Sequence, residues 1–248
     1  MIRKFPVSGC AAYACAVEIA PAPFRRRSAV GKVTALAPRV GVFYASMTLL
    51  AMVWCAARGH KNILVLSEAA SVLRPGQVLS SLALGGSLGL LLVLAMRYAQ
   101  ERFAFAKTLH GEFRQLLGPL NRRDVLVVAV ASAIGEECLF RGALMGHLAQ
   151  LFAQHPAGWG ISFVGSAVVF ALLHIGPDVR FLPWTLSALC LGLILSGLFL
   201  LTGDLLAPIA VHFTINWLNL RDIVSQKHAK TGSFAQTERS VSVFPIRV

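Results

Sequence analysis

Six polar side chains stand inside otherwise apolar stretches in the second half of this chain. Glu136, Glu137 and Arg141 lie in 134-IGEECLFRGAL-144, His174 in 170-FALLHIG-176, and His212 and Asn216 in 212-HFTIN-216. A charge at the centre of a bilayer costs about 2.5–3.5 kcal/mol on insertion scales, so such groups face a protein interior and usually have a task. On a helix, Glu137 and Arg141 are four apart with the acid on the N-terminal side, the favoured order for an ion pair on one face. Glu136 points about 100° away from Glu137, and its own neighbour four residues on is Phe140, which neutralises nothing. Phe170 and His174 share one helical face, as do His212 and Asn216. If the three helices pack together, Glu136, His174, His212 and Asn216 converge on one buried polar pocket.

That set has a defined chemistry. A carboxylate beside a histidine holds a water and takes its proton. An imidazole and a carboxamide at i and i+4 donate hydrogen bonds to the oxyanion that water attack on a carbonyl generates. No serine or cysteine nucleophile is required, and Cys138, two residues from Glu136, is directed to a different face. Plainer readings stand beside this one. Glu137 and Arg141 read best as a buried pair fixing helix packing, and Phe170 as a packing residue that shapes the pocket. A lone His174 or His212 is more often a hydrogen-bonded core residue, and their shared phase with Glu136 and Asn216 is what argues for function. His60, His110, His147, His155 and His228 read as surface or interfacial groups, Asp178 and Arg180 as a solvated turn, and Asp204 as a helix cap.

The elements that must position these groups are written in the composition. The 248 residues are 56% apolar and 14% charged, with a mean hydropathy of +0.68, which implies a polytopic membrane protein. Apolar runs near spanning length occur at 41–57, 78–98, 124–152, 158–176, 182–202 and 205–220, where roughly 20 helical residues cross a bilayer core. The expected fold is an all-α transmembrane bundle of about six spans. Between the second and third runs, residues 99–123 place Phe103, Phe105, Leu109, Phe113, Leu116 and Leu117 among charges. This pattern suits an interfacial amphipathic helix, with a connecting loop as the alternative. The chain thus divides into a basic tail (1–40), two spans with the amphipathic connection (41–123), a core (124–220) and a polar tail (221–248).

The formal charge of +12 follows topology. Basic clusters precede the first run, separate the second from the third and follow the last, which puts both termini on the cytoplasmic side. This placement argues against a nucleic-acid partner. The Arg-, Ala- and Leu-rich character suggests a bacterial inner membrane. Cys10, Cys15, Cys55, Cys138 and Cys190 form no CxxC pair and read as small core residues. The string 7-VSGC-10 has too short an apolar segment before it to be a signal peptide.

The ordered trio EExxxR (Glu136, Glu137, Arg141), FxxxH (Phe170, His174) and HxxxN (His212, Asn216) on successive apolar helices resembles the CPBP family. This family comprises CAAX prenyl endopeptidases of the Rce1 type and bacterial Abi or bacteriocin-processing relatives. The likeness spans roughly 124–220. It implies a glutamate-dependent intramembrane endopeptidase acting on a membrane-associated, lipidated or anchored peptide or protein. Glu136 and His174 would activate water, His212 and Asn216 would hold the oxyanion, and Glu137 and Arg141 would support them. No cofactor is implied by that mechanism. Glutamate and histidine are also zinc ligands, so a zinc peptidase on the same residues is an alternative. A transporter or immunity scaffold that binds an ion or peptide in the pocket is another.

Overall fold

The computed structural model describes residues 36–60, 62–66, 73–117 and 120–241, with side chains described through residue 225 except at 36 and 116. Most of the basic tail, including VSGC, Cys10 and Cys15, lies outside the described residues. The helices are α1 (Leu36–Ala57), α2 (Pro75–Arg102), α3 (Ala104–Leu117), α4 (Arg122–Glu137), α5 (Gly146–Leu151), α6 (Gly158–Leu172), α7 (Leu182–Thr202) and α8 (Leu206–Val241). A π-helical stretch, Cys138–Met145, joins α4 to α5, and a short 3-10 turn, Val179–Phe181, leads into α7. Among the described residues the β pairing is a single isolated bridge between Val65 and Asp204.

Each apolar run of the sequence is recovered mainly in helix. Three segments, Ala37–Ala57, Pro75–Arg102 and Val179–Thr202, are long and apolar enough to cross a membrane. The others miss that description for physical reasons: α4 and its π continuation carry the buried charges, α6 has 15 residues, and α8 turns polar at Arg221. The segment between the second and third runs is a helix, α3, separated from α2 by an extended Phe103. One expectation needs correction. α6 stops at Leu172, so His174 sits in the turn after it. Past residue 221 the backbone of α8 continues as helix to Val241. That continuation has no proline, and Ile223 and Val224 are buried at its start.

Small residues set the closest helix contacts, as expected where lipid offers no hydrophobic force between helices. Gly85 and Gly89 bring α2 onto α8: a Cβ at Gly85 would overlap the Ala207 carbonyl, and one at Gly89 would lie 2.8 Å from the Thr214 Cβ. Around that contact, Val93, Leu195, Leu198, Ala207, Val211 and Ile215 form an apolar core. The start of α8 is pinned by Asp204, which is fully buried. Its Oδ1 accepts from the Leu206 amide at 2.9 Å and the Ala207 amide at 3.4 Å, while Oδ2 accepts from the Ser81 hydroxyl of α2 at 2.7 Å. The aspartate therefore caps α8 and ties it to α2. α4 begins with a reciprocal cap, in which the Asn121 side chain accepts from the Asp124 amide and Asp124 accepts from the Asn121 amide. Cys55 and Cys138 are buried free thiols, whereas Cys190 is exposed, because it lies on an outward face of α7.

Candidate active site

The site forms where α4 passes into the π-helical stretch. Widening the helix leaves carbonyls without their usual partners, and side chains from other elements supply donors. Ser166 of α6 donates to the Phe140 carbonyl at 2.8 Å, Cys55 of α1 reaches the Gly142 carbonyl at 3.6 Å, and Arg58 donates to Ala143 at 3.0 Å and Gly146 at 2.8 Å. The irregular segment bearing EExxxR is thereby held from several sides.

Glu137 and Arg141 have side chains that are 0% exposed, and Arg141 donates from NH1 to Glu137 Oε1 at 2.9 Å. Arg141 NH2 also donates to the Gly192 carbonyl of α7 at 3.1 Å, and its guanidinium lies 4.6 Å from the centre of the Phe170 ring. The pair is not self-contained, as helical phase suggested, because Glu137 Oε1 is also 2.8 Å from His212 Nδ1. Since Glu137 accepts from Arg141, His212 Nδ1 is the donor in that contact. Glu137 thus joins α4, the π-helical stretch and α8.

Glu136 has a different environment. Its Oε1 accepts a hydrogen bond from the Tyr44 hydroxyl of α1 at 2.8 Å. Its Oε2 is buried and makes no direct hydrogen bond, yet lies 3.9 Å from His174 Nε2 and 3.7 Å from His212 Nε2. Both distances are too long for a direct hydrogen bond. His174 is oriented by its other nitrogen, with Nδ1 2.7 Å from the Phe170 carbonyl. A carbonyl only accepts, so Nδ1 carries the proton and a neutral His174 presents Nε2 as an acceptor. The turn holding His174 is fixed by Thr185, which donates to the His174 carbonyl at 2.8 Å. Phe170, 4.4 Å from the His174 ring centre, separates it from Arg141.

Asn216 lies one turn beyond His212 on α8 and donates to the Ser132 hydroxyl at 2.9 Å, four residues before Glu136 on α4. The antiparallel pairing of α4 and α8 therefore aligns Glu136 and Glu137 with His212, and Ser132 with Asn216. His174 has 20% side-chain exposure, against 9% for Glu136 and 4% for His212, and Asn216 is also half-buried. The His174 ring meets Trp184 at 5.2 Å, and Trp184 meets Phe113 of α3 at 5.3 Å. Arg180 bonds Asp178 at 2.7 Å and Glu112 of α3 at 3.1 Å on the exposed surface nearby. Hydrogen bonding to Arg180 holds the Asp178 carboxyl below its ordinary range. His147 stands apart from the set, 5.6 Å from the Trp54 ring.

Sequence reasoning missed Tyr44, Ser132 and the Glu137–His212 contact. The signal for Tyr44 was a lone phenol within an apolar spanning run, where a hydroxyl seeks a partner. No spacing rule within one helix could have paired it with Glu136, 92 residues away. Among the described residues, no group of three or more His, Cys, Asp or Glu side chains is arranged to hold a metal ion.

Residues 120–218 match the family model described as type II CAAX prenyl endopeptidase Rce1-like. The match contains Glu136 through Asn216 and leaves α1, α2 and α3 outside. Searches of curated proteins and of solved structures found no match. The matched family is one of proteases, and three helices of spanning length make the chain an integral membrane protein. Over residues 120–218, this chain is similar to the type II CAAX prenyl endopeptidase Rce1-like family, in agreement with the resemblance carried by EExxxR, FxxxH and HxxxN.

Proposed function

We propose that the protein is a glutamate-dependent intramembrane endopeptidase, in which Glu136 and His174 activate water while His212 and Asn216 stabilise the oxyanion. One observation carries the reading. Glu136 Oε2 and His174 Nε2 are both acceptors, each oriented by a bond to its other polar atom, and they are 3.9 Å apart. One water with an O–H directed at each resolves that juxtaposition, and its lone pairs are left for a substrate carbonyl.

The reaction then follows. Glu136 Oε2 takes a proton as the water oxygen bonds to the carbonyl carbon. The carbonyl oxygen becomes an oxyanion, and donors in a dry site stabilise it. His212, protonated at both nitrogens, keeps Nδ1–H on Glu137 and offers Nε2–H. That protonation also balances the local charge, since two carboxylates otherwise face the single guanidinium of Arg141. Asn216 spends one amide hydrogen on Ser132 and has a second to offer. The proton on Glu136 next passes to the amide nitrogen as the C–N bond breaks, which releases an amine and restores the glutamate, and the remaining water proton leaves the new carboxyl group through His174 Nε2 to solvent, so that the acid product departs as a carboxylate. Glu137 and Arg141 act by holding His212 and the helix in place. The substrate is a peptide or protein held at the bilayer, lipidated or anchored, and the enzyme resides in a bacterial inner membrane with both termini cytoplasmic.

The test is cleavage of membrane-anchored reporter peptides by protein reconstituted in vesicles, one reporter being a farnesylated peptide with a CAAX end. The reading expects a new amine terminus from wild type, undiminished by chelators, and large losses of kcat in His174→Gln and Asn216→Ala. Activity lost to a chelator and restored by zinc would instead assign Glu136, His174 and His212 as metal ligands. Peptide binding with no cleavage across the panel would favour the scaffold.

A further inference from the structure

We infer that Tyr44 is a positioning residue for the reaction: its hydroxyl fixes the Glu136 carboxylate so that Oε2 alone is presented to the water. The inference rests on the reading of Glu136 as the base. Tyr44 lies on α1, outside the matched segment 120–218, so the family match does not bear on its role.

The terminal torsion of a glutamate is broad and roughly two-fold. Without an anchor, either oxygen could turn toward His174 and the carboxylate plane would wander. The Tyr44 hydroxyl donates to Oε1 at 2.8 Å, which selects one oxygen and one plane. A bond to an ionised carboxylate is also among the stronger hydrogen bonds, and it compensates a charge whose other oxygen has no direct partner.

Tyr44 is itself seated with little freedom. A Cβ at Gly135 would stand 2.9 Å from the Tyr44 carbonyl oxygen and 3.1 Å from its Cδ1, so α1 presses on α4 at the residue immediately before Glu136. The Tyr44 carbonyl accepts from Thr48 at 2.9 Å, and the Phe43 ring meets the phenol edge-on at 5.2 Å. The close approach that Gly135 permits therefore sets the hydroxyl on the next side chain. In this arrangement α1 orients the base while the turn after α6, through His174, and α8, through His212, supply its partners.

The experiment compares wild type, Tyr44→Phe and Tyr44 replaced by para-aminophenylalanine in vesicles. Phe retains the ring against Gly135 and removes only the donor. With the reporter that wild type cleaves, Tyr44→Phe should lower kcat about 10- to 100-fold, the range for one hydrogen bond to a charged group, with KM unchanged. The para-amino variant, which keeps a donor at that place, should recover most of the loss. Infrared difference spectra between wild type and Glu136→Gln isolate the Glu136 carboxylate bands, and Tyr44→Phe should shift those bands with no substrate needed. Unshifted bands, wild-type kcat in Tyr44→Phe, or a loss that the para-amino variant does not recover would each overturn the inference. If Glu136→Gln abolishes cleavage while Tyr44→Phe leaves it intact, only the role of Tyr44 fails. If Glu136→Gln cleaves normally, the reading of the base itself fails.

Discussion

Removing Glu137 puts the heaviest strain on this arrangement. In Glu137→Ala, Arg141 stays fully buried and keeps the Gly192 carbonyl and the Phe170 and Phe140 rings but no carboxylate bond. His212 loses its Nδ1 partner in the same step. Breaking a buried ion pair from one side costs about 3–5 kcal/mol, and an orphaned buried donor adds about 1–3 kcal/mol. A loss of about 4 kcal/mol or more is large against total stabilities of about 5–15 kcal/mol. The double variant Glu137→Leu with Arg141→Met replaces the pair by apolar groups of similar size, which is often neutral. It should recover all but about 1–3 kcal/mol, the share of His212. Equilibrium unfolding in mixed SDS and detergent micelles, followed by tryptophan fluorescence, measures both variants. A single variant within about 1 kcal/mol of wild type, or a double variant as unstable as the single, would refute the reasoning. Both variants should also lose turnover, because His212 is no longer oriented.

Two further perturbations act away from the reacting atoms. Gly135→Ala forces α1 off α4, since the new methyl would lie within 2.9 Å of the Tyr44 carbonyl oxygen; it should cost about 1–3 kcal/mol in the same unfolding assay. Asp204→Ala removes the cap on α8 and orphans the buried Ser81 hydroxyl. It should cost about 1–3 kcal/mol, and hydrogen exchange should rise at Leu206 and Ala207 before the rest of α8.

The sequence made the helices legible because apolar runs of spanning length leave the backbone few choices. Helical phase was also enough to separate Glu136 from Glu137 and to join Glu137 to Arg141. The i,i+4 pairing held even though Arg141 lies in the π-helical stretch Cys138–Met145. Helical phase failed where the helix ended, since His174 belongs to a turn whose shape depends on Thr185. Contacts between helices were beyond it altogether. Tyr44 reaches Glu136 because Gly135 admits α1, and Glu137 reaches His212 because α4 and α8 run antiparallel at close range. Likewise, α8 continues past Arg221 through burial of Ile223 and Val224, which composition alone could not weigh against the polar sequence around them.

Glu136→Gln is the most direct measure of the central claim. The amide keeps the size of the side chain and an oxygen for Tyr44 to bond, and it removes the ability to take a proton from water. In vesicles, with a chelator present and unfolding midpoints matched to wild type, single-turnover cleavage of the reporter should fall at least about 10²- to 10⁴-fold, the usual contribution of a general base. Cleavage within tenfold of wild type by this folded variant would contradict the account.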